Sequence, residues 1–382
     1  MASSEDDEDV IVAVTAETTS LIACYYQYFV EKTVCHDSIL SGSAHVDEVL
    51  NGHDARCQNS FRMEKHVFWL LCELLQEKQL LRHSKGVRVE EKVAIFMLAV
   101  GHNERNRILQ ERFQHSGETI SRHFNAVLDA IVQLADDFLQ PAGPCTPDEI
   151  RDNPRFYPYF KNCVEAIDGT HIPAMVSEEE QPIYRNRKGF IFQNVLVACS
   201  VDLQFHYVLA GWEGSAHEGR VLDSALTRSD KLIVPKGKFY LGDAGFALTP
   251  SFITPYRGVR YHLKEYGEIA QKMPKNYLIF DTHHYGMQLN VLLEYLKGDS
   301  LFLKIVLACC IIHNHIRKEC INNFFMDGED VTTIPETDPG IPEDNNEGAR
   351  LGRNKERDLA SELRTSIANA MWNNYRRRRR TI

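Results

Sequence analysis

No uninterrupted apolar run of about 20 residues occurs in these 382 residues, so nothing in the sequence reaches the length of a membrane-spanning helix. The opening MASSEDDEDV lacks the cationic start and apolar centre of a secretory signal, and the expectation is an intracellular protein. CxxC pairings are missing as well. The ten cysteines are scattered through apolar segments, as at Cys199 and the Cys309–Cys310 pair, which excludes a finger-type zinc site and makes reduced core thiols the expectation. A positive surplus is also lacking: 43 Lys and Arg face 53 Asp and Glu, for a net charge of -10, and the total speaks against a nucleic-acid binder.

The distribution of charge speaks differently. Much of the acid lies in Glu5 to Glu8 and in MDGEDVTTIPETDPGIPEDNNEG, where Pro, Gly and charge leave too little apolar surface for a core. A disordered linker over 325–358 is the expectation, followed by a C-terminal helix and basic tail over 359–382. The tail carries five consecutive arginines, Arg376 to Arg380, a run suited to nuclear import or phosphate contact and equally to a solvated end. With 43% hydrophobic residues, what remains suffices for about two domains behind an acidic, variable segment over 1–59.

The first of these domains, 60–145, has apolar residues at helical spacing in FRMEKHVFWLLCELLQ, VEEKVAIFMLAVGH and NRILQERFQHSGETISRHFNAVLDAIVQLADDFL. In the third stretch a short amphipathic helix, an HSG turn with a glycine available for positive φ, and a second helix from Glu118 to Leu134 follow one another. This is a helix-turn-helix-like arrangement whose second helix would present Ser121, Arg122, His123 and Asn125 to a DNA groove; spacing alone equally admits an ordinary helical bundle. The second domain, 160–320, changes to strand periodicity in KNCVEAID, GFIFQNVLVACSVD, FHYVLAGWEG and KGKFYLGD before helices return, which describes a mixed α/β fold.

Two of these strands close on an acid, AIDGTH at Asp168 and YLGDAGF at Asp243. A carboxylate at the carboxyl end of a strand is held rigidly yet faces the opening of the sheet, where α/β proteins build sites. Two of them can share hard divalent cations, which take oxygen ligands and bridge to phosphate. Aspartate before glycine is also an ordinary turn former, and both readings stand on the residues alone.

At this point VEAIDGTHIPA, YRNRKGFIFQNVLVACSVDLQFHYVLAGWEGSAHEGRVLDSAL, KFYLGDAGFALTPSFITPYRG and LACCIIHN resemble successive motifs of the PIF/Harbinger transposases and the plant proteins derived from them, and RNRILQERFQHSGETISRHFNAVL is similar to that family's N-terminal helical region. The resemblance implies an RNase H-like DDE nuclease domain with Asp168 and Asp243 as catalytic metal ligands, Mg²⁺ or Mn²⁺ as cofactor, DNA as substrate, a nuclear location and a Myb-like or chromatin partner. It also implies DNA-backbone contacts from Arg185, Arg187 and Lys188 and nucleic-acid contacts from Arg122 and Asn125.

The family's third acid, a glutamate in a run resembling RHSSLRNxIERxFGVxKxRFPIL, has no counterpart in 274–304. Glu294 follows Asn290 by four positions and lies between Leu293 and Tyr295, not before an arginine. Reading the last base of each codon with the first two of the next offers an explanation. Phe280 into Asp281 then gives only arginine once the stop is excluded, Met287 into Gln288 forces alanine, and Leu289 into Asn290 gives Glu or Lys. Carried to Leu303, the alternative frame can spell RHSSLRNAIERTFGVFKGRFPIL. The expectation is therefore that 277–303 is frameshifted relative to the family, that the third ligand is missing, and that the nuclease is impaired or serves as a non-catalytic interaction factor.

Overall fold

The computed structural model describes residues 3–30, 36–154, 156–174, 176–185, 189–200, 202–243, 245–256, 299–320 and 347–380. Glu294, Arg187 and Lys188, and nearly all of the segment read as frameshifted, lie outside the described residues.

The first helix, α1 (Ser3–Tyr25), exposed from Val10 onward, is extended by a π turn to Val30. A helical layer follows: α2 (Gly42–Asn51), α3 (Asp54–Phe61), α4 (Lys65–Glu77), α5 (Val89–His102), α6 (Asn106–Phe113), α7 (Gly117–Val132) and the single turn α8 (Ala135–Phe138). In α4 the buried residues Val67, Phe68, Leu71, Cys72 and Leu75 recur with the helical period and form one face. The helix α5 is apolar around nearly its whole girth, and every residue from Val89 to Val100 is buried at the centre of the layer. Of its three buried polar residues, Glu91 meets His115 at 2.8 Å and Lys92 the Arg82 carbonyl at 2.7 Å.

After the turn α9 (Asp148–Arg151), the strands β1 (Cys163–Pro173), β2 (Phe192–Cys199), β3 (Phe205–Glu213), β4 (Phe239–Leu241) and β5 (Phe252–Ile253) make one sheet in the order β3-β2-β1-β4-β5 among the described residues. The first three strands form an antiparallel meander, and β4 and β5 run parallel to β1. The turn α10 (Gln181–Tyr184) lies in the β1–β2 connection, and α11 (Glu218–Thr227) joins β3 to β4. Helix α11 covers one face through Val221, Leu222 and Ala225, packed with Ile167, Leu196, Ala198 and Leu209. The opposite face meets α12 (Asp299–Glu319), whose Phe302, Ile305, Cys309 and Ile312 share a core with Val195, Ala210 and the helical layer. A last helix, α13 (Glu347–Arg380), seats Ala360 and Ile367 on Ala166, Leu241 and Ile253 at the β4–β5 side.

Two buried polar side chains of α12 fasten the layers together. Asn314 accepts from the Phe205 amide at 2.8 Å and donates to the carbonyls of Phe138 and Phe205 at 2.9 and 2.6 Å, while His315 meets the Val67 carbonyl at 3.0 Å. These contacts give the IIHNH stretch a structural reason: Asn314 satisfies backbone groups of an edge strand and of a short helix, and His315 ties α12 to the first turn of α4. Seven of the nine described cysteines are buried and none is bridged, whereas Cys24 and Cys145 are exposed.

Candidate nuclease site

The strand carrying Asp168 does not end there. β1 continues to Pro173 alongside β2, with Asp168 opposite Val197. What ends near Asp168 is the pairing with β4, whose final matched residues are Ala166 and Leu241. Two residues further along each strand stand Asp168 and Asp243, so the two acids leave neighbouring parallel strands at the same level. A Cβ built on Gly242 would lie 3.3 Å from the Ile167 Cγ1, which independently puts residue 242 beside residue 167. Strands in that relation are about 4.8 Å apart. Ile167 faces the α11 side with Ala198, so by alternation Asp168 turns to the other face.

Local bonds fix both carboxylates. Asp168 Oδ1 accepts from the Gly169 amide at 2.9 Å, and Asp243 Oδ1 accepts from the Gly245 amide at 3.0 Å. Both residues are half-buried. Cys199, opposite Ala166, is held as a thiol, since burial pushes it up to about 12 and the Asp168 charge adds to the effect. It is no nucleophile at neutral pH.

A third carboxylate reaches this edge, one that the reading of the sequence quoted within GSAHEGRVL and did not assign. Glu218 opens α11, and a Cβ on Gly169 would be 3.6 Å from its Cγ. A Cβ on Gly245 would overlap Glu218 Oε2 while lying 3.2 Å from Asp243 Oδ1. The signal in the sequence was an acid at the first turn of the helix that follows the third strand, a place where the chain re-enters the carboxyl edge of β1. The preceding turn is tightly set: Asn194 donates to the carbonyls of Glu213 and Ala216 at 2.9 and 3.0 Å, and His217 caps α11 by accepting from the Gly219 amide at 3.0 Å.

Arg185 lies at the same edge, in the β1–β2 connection, with its guanidinium on the Gly189 carbonyl at 3.0 Å and its side chain exposed. Arg122 and Asn125 are elsewhere, on the exposed side of α7. There Asn125 donates to the Ser121 carbonyl at 2.9 Å and Arg122 reaches the Thr119 hydroxyl at 3.5 Å. His123, read as facing outward with them, is buried, and burial lowers its imidazole to about 4. The α6–α7 turn takes its positive φ at Gln114, at 56°, while Gly117 begins α7 behind the Ser116 cap. Gly117 is needed for space instead, because a Cβ there would come 2.8 Å from Gln110 Nε2.

The part of the sheet that sets these two acids side by side is similar to the DDE superfamily endonucleases, whose family model matches residues 167–314 and so spans Asp168, Glu218, Asp243 and Asn314. A domain of unknown function, DUF8040, matches 37–133, most of the helical layer. Among relatives, the chain is 26% identical over 213 residues to "Putative nuclease HARBI1" of Rattus norvegicus, covering 52% of this chain and 59% of that protein. It is 22% identical over 293 residues to "Protein ALP1-like" of Arabidopsis thaliana, covering 68% and 70%. The match thus spans about three fifths of the HARBI1 relatives. No solved structure matches the chain. No helix among the described residues is long and apolar enough to cross a membrane.

Proposed function

We propose that this chain is a transposase-derived, RNase H-like DDE endonuclease homologue acting on DNA phosphodiesters. The observation that carries the proposal is the register: Ala166 against Leu241 sets Asp168 beside Asp243 within the segment that matches the DDE endonucleases. The order of an antiparallel meander extended by two parallel strands supports the RNase H-like reading. The donor set fits a hard cation, since it offers only oxygen ligands, and the glycines at 169 and 245 leave room beside the carboxylates. Asp168 and Asp243 would hold Mg²⁺ or Mn²⁺, and the bound ion would supply Lewis acidity toward a DNA phosphate. The protein's part is to hold the two carboxylates on rigid strands and to offer cationic side chains, Arg185 with Arg187 and Lys188, to the DNA backbone.

The helix pair α6–α7 is the proposed helix-turn-helix-like element, with Arg122 and Asn125 toward DNA. The arginines at 376–380, the nuclear location and a Myb-like or chromatin partner belong to the same reading. A second reading keeps the fold as a nuclear interaction factor without chemistry; the absence of an IER-type glutamate from the sequence of 274–304 favours it. Mn²⁺-dependent nicking of supercoiled DNA separates the two. Cutting by the wild type that is lost in Asp168→Ala and in Asp243→Ala supports the nuclease, whereas equal cutting by all three removes the site.

A further inference from the structure

We infer that Glu64, His66 and Cys320 form a zinc site that ties the first turn of α4 to the end of α12. The site stands apart from the nuclease reading, since neither Asp168 nor Asp243 takes part in it.

One ligand atom from each of the three residues lies within 4.8 Å of those of the other two. Glu64 is the N-cap of α4 and His66 follows in the first turn, so carboxylate and imidazole emerge at one end of the helix. His66 Nδ1 stands 3.4 Å from Glu64 Oε2. Ligands on a tetrahedral zinc at ordinary bond lengths lie roughly 3.3–3.6 Å apart, so this pair already has the spacing. The thiol comes from the residue that follows α12, and backbone contacts fix its place. Cys320 donates its amide to the Ile316 carbonyl at 2.9 Å, and His315 meets the carbonyl of Val67, the residue after His66, at 3.0 Å. Two rigid helices therefore hold the donors together with no metal present.

Each of the three groups lacks its commoner role. An N-cap side chain ordinarily accepts from the helix amides, but that of Glu64 makes no such bond. Cys320 is 9% exposed, and its thiol has no hydrogen-bond partner among the described residues. The basic residues next in sequence turn elsewhere, Lys65 to Asp54 at 2.9 Å and Lys318 over the Phe138 ring. Burial, and after it the carboxylates of Glu64 and Glu319, hold the Cys320 thiol above its ordinary range. A cation between thiol and carboxylate turns that repulsion into attraction. An ion pair of Glu64 with His66 would account for two of the groups and leave the buried thiol beside them without a role.

The donor set chooses the ion. A thiolate, an imidazole and a carboxylate suit Zn²⁺, whereas Mg²⁺ and Mn²⁺ favour sets made of oxygen alone. The Glu64 and His66 side chains are 40% and 54% exposed, which leaves the fourth tetrahedral position to water.

The test uses the full-length chain, reduced and stripped with a chelator. Zn²⁺ affinity is measured by competition with a chromophoric chelator, Co²⁺ serves as a spectroscopic stand-in, and melting temperature is read with and without Zn²⁺. Wild type is expected to take up one tightly held Zn²⁺, to melt higher with it, and to give with Co²⁺ the visible bands of a tetrahedral ion and a thiolate charge-transfer band. Cys320→Ser loses the charge-transfer band. Glu64→Gln and His66→Gln change exposed side chains, so they keep the metal-free melting temperature while binding Zn²⁺ at least about tenfold more weakly. Cys145→Ser, at an exposed thiol, and Asp168→Asn bind as wild type does. The inference is overturned if wild type holds no Zn²⁺, if Cys320→Ser and His66→Gln keep wild-type affinity and spectrum, or if the bound ion is lost in Cys145→Ser or Asp168→Asn instead. Failure of the two-aspartate site to bind Mn²⁺ would leave this result standing.

Discussion

Gly214 shows how little freedom the site's foundations have. Its missing Cβ would meet two backbone carbonyls, neither of which can swing aside as a flexible side chain would. Gly214→Ala is therefore expected to cost about 1–3 kcal/mol of stability, read from the urea midpoint; an unchanged midpoint would show that the turn relaxes freely. Asn314, 1% exposed, satisfies one amide and two carbonyls from separate elements. Asn314→Leu keeps the volume and abandons all three, with an expected loss of about 1–3 kcal/mol for each group left buried and unmatched. At this scale the sequence was legible where chemistry is local. Asp168 and Asp243 could be picked out because each follows an apolar strand run. Glu218 was not assigned, since its meaning comes from the connection that returns α11 to the sheet edge. His123 was read as outward-facing with Ser121, Arg122 and Asn125, but it lies on the buried side of α7 with Ile120 and Val127.

Helix α12 carries a pH dependence of its own. His313 meets the Leu203 carbonyl at 2.8 Å and His315 the Val67 carbonyl at 3.0 Å, and burial is the main cause holding both imidazoles below their ordinary value of 6.5. The unfolded chain then takes up these protons first, so their contribution to stability is present above about pH 6.5 and is lost as pH falls below it. His206 has the opposite sign. Burial alone pushes it down, but the Glu165 carboxylate at 3.0 Å outweighs burial and holds it above 6.5, so its contribution is present below 6.5 and fades as pH rises through the raised value. Acid should therefore destabilise the protein through α12, and His315→Gln, which can still donate to Val67, should flatten the fall in urea midpoint between pH 7 and pH 5. An equally steep fall in that variant would locate the effect elsewhere. The helix α13 makes a different case. Its start at Glu347 lies inside the stretch whose acidic, Pro-containing composition reads as linker, because the later apolar residues Ala360 and Ile367 find the β4–β5 edge only in three dimensions. Ile367→Ala should cost about 2–4 kcal/mol by leaving a void over Leu241 and Ile253; a smaller loss, measured by chemical denaturation, would mean that the helix is a detachable appendage.

Across the whole molecule, one continuous core joins the helical layer to the sheet through α12, so the two regions that periodicity separates at about residue 150 are coupled in packing. Their element types were legible because helical spacing gives way to β-branched and aromatic runs; β2, β3 and β4 fall within the runs that announce them, and β1 begins in its run but continues five residues past Asp168 along β2. The fifth, Phe252–Ile253, is too short to produce a period and exists only because β4 offers it an edge. The account turns on a divalent ion bound by Asp168 and Asp243. A second set of donors gives that claim a built-in rival: Glu64, His66 and Cys320 bring three ligand atoms within 4.8 Å of one another at the start of α4 and the end of α12. Anomalous diffraction from crystals soaked in Mn²⁺ distinguishes the two directly. The account predicts a peak at the carboxyl edge of β1 and β4 within bonding distance of both aspartates; a peak confined to Glu64, His66 and Cys320, or none at the strand ends, contradicts it.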